Sequence, residues 1–249
     1  MKRAIKDSYS ILQSDGWWAR FLSNHDKPRQ VSLYGNDKEY RAQSAKMLAA
    51  ITQLLPGTPF IFQGEELGMA NVYYGSIDDY DDLDTKNIYN LEILKGKSGE
   101  DALHYAQSVS RDNARSPMQW SDSANAGFSE GRPWLGVNPD YKMANAASEE
   151  QNPTSVLSFY KALISLRKGS ETIRRGKFEF IEENSPVLFC YRRYDDQDEY
   201  IIISDFSDHD AACSIDISGY EAVLKNYDKD YSDRITELSP YEVVVLKRL

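Results

Sequence analysis

Cysteine, excess basic charge and long apolar runs are all scarce in this chain. It has two cysteines in 249 residues, Cys190 and Cys213, each inside a strand-like run near the carboxyl end. They read as buried free thiols rather than a disulfide, and two thiols cannot make a zinc site unaided. Lys and Arg number 29 against 39 Asp and Glu, giving a formal net charge of −10 and a pI near 4.9. An acidic surface of this kind disfavours nucleic acid and anionic membranes as partners. No apolar run is long enough to cross a bilayer. The opening residues reach Asp7 and Ser8 before any apolar segment, unlike a secretory signal, so the cytoplasm is the expected location.

What is present fits an ordinary folded protein. Hydrophobic residues make up 41% and charged residues 27%, and the chain is long enough for one large domain or two smaller ones. Aromatic residues reach 12%, with 17 Tyr and 4 Trp. Such rings suit a carbohydrate site, but tyrosines also pack ordinary cores.

Residues 2–14 show helical spacing through Ile5, Tyr9 and Leu12. An apolar run at 16–22 then empties into Ser23-Asn24-His25-Asp26-Lys27-Pro28-Arg29, as a buried strand empties into a site. A second such run, 58–62, ends in Gln63-Gly64-Glu65-Glu66. Between them Asn36-Asp37-Lys38-Glu39 has the spacing of a capping box, and Ala45, Leu48, Ala49, Thr52 and Leu55 recur at helical intervals before Pro56-Gly57. Strand, helix, strand predicts a parallel βαβ unit with chemistry at the carboxyl edge of its sheet.

From 68 to 152 the sequence turns polar and irregular, with a short helix near 101–109 and an acidic patch at Asp78-Asp79-Tyr80-Asp81-Asp82. A stretch of that length reads as a lid or binding loop. The patch lacks the glycine and terminal glutamate of an EF-hand and reads as a solvated turn rather than a calcium site. Residues 153–168 form an amphipathic helix. The runs 177–182, 187–194, 199–206, 211–217, 221–226 and 241–247, separated by turn residues, predict a small antiparallel β-sandwich. The expected division is 1–172, with its lid 68–152, and 173–249.

Three groups of residues carry a family resemblance. Asn24-His25-Asp26 with Pro28-Arg29, and Gly57-Thr58-Pro59 with Gln63-Gly64-Glu65-Glu66-Leu67-Gly68-Met69, resemble the seventh and eighth strand ends of α-amylase-type glycoside hydrolases (family 13). Arg111-Asp112-Asn113-Ala114-Arg115-Ser116-Pro117-Met118-Gln119-Trp120, followed by Asn125-Ala126-Gly127-Phe128, resembles the oligo-1,6-glucosidase, dextran glucosidase, α-glucosidase and trehalose-6-phosphate hydrolase branch. The resemblance covers nearly the whole chain. It implies the carboxyl-terminal part of a (β/α)8 TIM barrel, comprising the last two βα units and a lid, followed by the β-sandwich.

The resemblance also implies roles. Family members cleave α-glucosidic bonds with retention, using one carboxylate as nucleophile and another as acid/base. A third carboxylate binds the hydroxyls of the glucose being cleaved and helps its ring distort. Asp26 takes that third role by resemblance. His25 binds a hydroxyl of the same sugar, Arg111 reaches that glucose, and Asp84 stands where relatives often carry a glutamate beside the neighbouring sugar. Arg29 and Arg115 are expected to be structural ion-pair residues, and Glu65 and Glu66 to support the site without doing chemistry.

The departure from the family lies in what precedes these motifs. The nucleophile belongs to a Gly-Phe-Arg-x-Asp segment after the fourth strand and the acid/base glutamate follows the fifth; neither segment occurs in this sequence. The expectation is therefore the carboxyl-terminal part of a glucosidase acting on short oligosaccharides, inactive alone. Its partner would be the amino-terminal barrel portion, which would also hold any family calcium site; no cofactor is implied here. Two strands alone leave their edges unpaired and one face bare. Alternatives are a trehalose-6-phosphate hydrolase, a glucosyl-transferring relative, or a non-catalytic sugar-binding remnant.

Overall fold

The computed structural model describes residues 2–12 and 16–249; the end of the first predicted helix, 13–14, lies outside them. In chain order the helices are α1 (Lys2–Leu12), α2 (Gln30–Tyr34), α3 (Arg41–Leu54), α4 (Leu83–Leu94), α5 (Gly99–Val109), α6 (Asp112–Arg115), α7 (Ala146–Gln151), α8 (Val156–Gly169) and α9 (Glu171–Arg175). The strands are β1 (Ala19–Arg20), β2 (Thr58–Pro59), β3 (Lys177–Ile181), β4 (Cys190–Tyr194), β5 (Glu199–Ser204), β6 (Ala211–Asp216), β7 (Tyr220–Lys225), β8 (Arg234–Leu238) and β9 (Val243–Arg248). Two compact units emerge: Met1–Phe21, Lys46–Phe60 and Phe159–Leu249 form the first, Leu22–Ala45 and Ile61–Ser158 the second. No described helix is long and apolar enough to cross a membrane.

In the first unit β1 and β2 pair in parallel, Ala19 opposite Thr58. The Thr58 and Phe60 amides donate to the Trp18 and Arg20 carbonyls. The runs predicted at 16–22 and 58–62 thus yield only short strands. Each has one partner among the described residues, so the ladder holds only where the two overlap. Alternation along the strands puts Trp17, Phe21 and Phe60 at 58, 51 and 55% exposure. That is the bare face expected of two strands without neighbours.

Arginines receive the helix end between these strands. Arg167 donates to the Gln53, Leu55 and Gly57 carbonyls and Arg193 to that of Leu54. Cations at a helix carboxyl terminus satisfy carbonyls that the helix itself leaves open.

The sandwich is present. One sheet has the order β3-β4-β5-β9-β7 and the other pairs β6 with β8. Leu188, Cys190, Ile201, Ile203, Ile215, Ile235, Leu238, Val244 and Leu246 fill the core between them. Cys190 is buried and neither thiol is bonded to the other. Strand β8, absent from the sequence-based assignment, buries only Ile235 and Leu238, a spacing of three that hides strand alternation.

The second unit departs further from expectation. α3 begins at Arg41 and no capping box opens it. Asn36 Oδ1 accepts the Lys38 and Tyr40 amides, and the Asn36 amide donates to Ser44 Oγ, taking the place predicted for Glu39. The stretch 68–152 is largely built of short helices. Asp82 caps α4 by accepting from the Thr85 amide, and Ser98 caps α5 through that of Asp101. Within the acidic patch Asp78, Asp79 and Asp81 are exposed, as a solvated turn requires, whereas Tyr80 and Asp82 are buried.

Candidate functional site

Asn24-His25-Asp26 is held by its own backbone. Asn24 Oδ1 accepts the Asp26 amide at 2.8 Å and the Asn24 carbonyl accepts that of Lys27 at 3.2 Å. This side-chain turn presents the Asp26 carboxylate, which is about half exposed at 48%. His25 Nε2 lies 3.1 Å from Asp26 Oδ2.

Arg115 of α6 and Arg111, the residue before that helix, converge on that carboxylate. Arg115 Nη2 is 3.0 Å from Asp26 Oδ1 and Arg115 Nε donates to the His25 carbonyl at 3.2 Å. Arg111 Nη1 lies 3.9 Å from the same oxygen. Arg111 also contacts Asp84 Oδ2 at 2.9 Å. All four residues assigned by resemblance, His25, Asp26, Asp84 and Arg111, therefore share one network of polar contacts.

Asp82 stands at the centre of that network. Its side chain is 3% exposed, and Oδ1 accepts from Arg111 Nε at 3.0 Å and Nη2 at 2.5 Å. Oδ2 accepts from the Thr85 hydroxyl at 2.8 Å. Burial alone would raise this carboxyl; hydrogen bonds from Arg111 and Thr85, with the Arg111 charge, outweigh it and hold Asp82 below the usual carboxylate range. The same hydrogen bond raises Arg111. Sequence reasoning missed Asp82 because it sits in an acidic run; the available signal was its place three residues before Thr85 at a helix start.

The surrounding residues fix the two loops. Asp112 Oδ2 accepts the Asp81 and Asp82 amides at 2.7 and 2.9 Å, and the Ser110 hydroxyl lies 2.8 Å from Thr85 Oγ1, which can accept from it while donating to Asp82. Arg29 is fully buried but is no ion-pair residue of the expected kind. Its guanidinium donates to the Asn113 and Gln63 carbonyls and to Ser116 Oγ, because carbonyls are what the packed backbone offers there. Burial lowers it to about 10. Arg115, also expected to be a structural ion-pair residue, does pair with a carboxylate, and that carboxylate is Asp26.

Glu65 and Glu66 differ sharply from each other. Glu66 Oε2 accepts the Gly64 amide. Glu65 is buried, accepts the Ser23 hydroxyl at 2.5 Å, and is pushed up to about 7 by burial, against the lowering effects of Ser23, the Phe62 backbone and Arg29. It lies behind the Asn24-His25-Asp26 turn through Ser23.

Among the described residues no group of three or more His, Cys, Asp or Glu has the arrangement of a metal site. The arrangement can bind a polyhydroxy ligand. Asp26 offers carboxylate acceptors beside His25 and the Arg111 guanidinium, with Asp84 at the exposed rim.

Comparisons with known proteins bear on this arrangement. The model of the alpha-amylase catalytic domain matches residues 1–176. The oligo-1,6-glucosidase of Bacillus cereus is 42% identical over 99% of this chain and 45% of its own length. The trehalose-6-phosphate hydrolase of Bacillus subtilis is 37% identical, again over 99% of this chain and 45% of its own. Among solved structures, the Bacillus licheniformis trehalose-6-phosphate hydrolase superposes with a TM-score of 0.93 at 36% identity, covering 99% of this chain and 46% of that one. Trehalulose synthase MutB from Pseudomonas mesoacidophila MX-45 gives 0.90 at 37% identity, covering 99% of this chain and 46% of that one. The chain thus spans a little under half the length of the relatives it matches.

Proposed function

The chain belongs to the alpha-amylase family, and from that premise we propose that it supplies the carboxyl-terminal share of a retaining α-glucosidase acting on short oligosaccharides, in the manner of an oligo-1,6-glucosidase. The observation that carries this reading is the convergence of Arg115 at 3.0 Å and Arg111 at 3.9 Å on the half-exposed Asp26. Asp26 would hold two hydroxyls of the glucose at the scissile bond and favour its distorted, cation-like form. His25 would bind a hydroxyl of that sugar, Arg111 would reach it from the lid, and Asp84 would meet the next sugar.

Retaining chemistry needs a nucleophile and an acid/base about 5–5.5 Å apart. Neither family segment occurs in this sequence, so bond cleavage is assigned to the assembled barrel. On this reading β1 and β2 are the last two strands of a (β/α)8 barrel, and 1–172 and 173–249 are its barrel and sandwich portions. The bare face at Trp17, Phe21 and Phe60 would seat the remaining six βα units. Two unbonded thiols support a reducing, cytoplasmic location.

The test pairs this chain with the part of the Bacillus cereus enzyme that it does not cover. The expected result is a complex that hydrolyses isomaltose, weakened by Phe21→Asp or Phe60→Asp. A stable complex that cleaves no glucoside would refute the assignment, as would turnover by the isolated chain. Preferential cleavage of trehalose 6-phosphate would select the phosphorylated disaccharide instead. Sugar transfer or isomerisation would select a glucosyl-transferring relative.

A further inference from the structure

We propose that Asp82 is a positioning residue that aims Arg111 and, through it, sets the arginine pair around Asp26. The inference rests on the glucosidase reading for what the arginines meet, but its geometry stands independently.

Three observations carry it. First, Asp82 is the buried member of the network, 3% exposed against 34% for Arg111 and 65% for Asp84, so its contacts are the least exchangeable with water. Second, its two oxygens have separate duties. Oδ1 takes the Arg111 guanidinium at Nε and Nη2, while Oδ2 is held by the Thr85 hydroxyl and amide. The carboxylate plane is thereby fixed from the helix side and fixes the guanidinium on the other. Third, the two loops are fastened reciprocally, because Asp112, next to Arg111, accepts the Asp81 and Asp82 amides. Arg115 Nη1 lies 3.9 Å from the same Oδ1, so one carboxylate oxygen faces both guanidinium groups.

Electrostatics explains the need for it. Asp26 carries one charge and faces two arginines whose long side chains have many rotamers. A charge-assisted contact made by two guanidinium nitrogens to one buried oxygen restricts an arginine much more than a single solvated ion pair does. Arg111 pairs with Asp84 as well, but that carboxylate is mostly exposed, and such pairs are screened. Asp82 is the group that holds Arg111 in place when the rim is wet.

The distinguishing variant is Asp82→Asn. Asparagine caps a helix about as well as aspartate, so α4 should persist while the negative charge that holds Arg111 is lost. The measurement is made on the full chain by NMR, following the Arg111 Nε–H resonance and the backbone amide of Thr85. The expected result is a protected Arg111 Nε–H in the parent chain, lost in Asp82→Asn, with Thr85 and the Arg29 Nε–H unchanged. Titration with methyl α-D-glucoside should then show affinity reduced roughly tenfold or more in the variant. Glu92→Gln, elsewhere on α4, should match the parent.

An Arg111 signal and glucoside affinity both unchanged in Asp82→Asn would overturn the proposal, as would loss of the Thr85 signal together with the rest of α4, which would reduce Asp82 to a cap. Failure of the parent chain to bind glucoside while Arg111 is released by the variant counts against the glucosidase reading, and supports Asp82 as the residue that holds Arg111.

Discussion

Glu65→Gln should flatten the dependence of stability on pH between about 4.5 and 7. Glu65 is buried at 5% exposure behind Ser23, and its carboxyl is raised from 4.5 to about 7, chiefly by burial. In the unfolded chain the group ionises at its ordinary value. Between the two values the native chain therefore holds a proton that the unfolded chain has lost. The unfolded state binds fewer protons there, so stability falls as pH rises, and the contribution fully present below about 4.5 is gone above about 7. The span corresponds to on the order of 3 kcal/mol. Glutamine removes the titration and keeps an oxygen to accept from Ser23. Urea unfolding followed by tryptophan fluorescence, from about pH 5 to about pH 8, should show the variant gaining on the parent chain through this window and the difference levelling off above it. A difference independent of pH, or a parent chain that gains on the variant as pH rises, would refute the account of Glu65 as a carboxyl kept protonated by burial.

Two further substitutions test the framework around the site. Arg29→Met leaves the Gln63 and Asn113 carbonyls and Ser116 Oγ without their donor; unfolding measurements should show a loss of about 3 kcal/mol or more, and less than about 1 would contradict the inventory of its partners. Gly57→Ala places a Cβ 2.6 Å from the Trp18 carbonyl at a φ of +111°, whereas Gly96→Ala, at +86°, meets nothing within 4 Å. Thermal unfolding should therefore penalise the first distinctly more than the second, which bears backbone strain of about 1 kcal/mol alone.

The sequence made legible those parts of the fold whose burial follows a simple period. The sandwich strands from Lys177 to Ser204 and from Val243 to Arg248 carry continuous or alternating apolar residues, of which Cys190, Ile201, Ile203, Val244 and Leu246 lie in the sandwich core. α8 shows its amphipathic stripe in the same way, with Val156, Phe159, Tyr160 and Leu163 buried. α4 reverses the pattern. It exposes Leu83, Leu91, Ile93 and Leu94 while burying Thr85 and Glu92, so hydrophobic periodicity points away from its true inner face. The sequence predicts α5 as the short helix near 101–109 but not α4, for which the available signal was the cap at Asp82.

The same contrast governs the site. Asn24, His25 and Asp26 are contiguous, so their turn and their chemistry could be recognised together. The role of Asp82 depends on Arg111, 29 positions away, and on Asp112, 30 positions away. An acidic residue at the end of an acidic run looks solvated until the partner that desolvates and neutralises it is in place. Charge in a sequence has a sign but no depth, and depth is what separates a surface aspartate from one that aims an arginine. It follows that the residues most easily missed here are those whose burial is created by the lid's own folding. On that argument the network should form only with α4 and α6 docked, and Arg111 should lose its orientation before the backbone turn at Asp26 loses its hydrogen bonds.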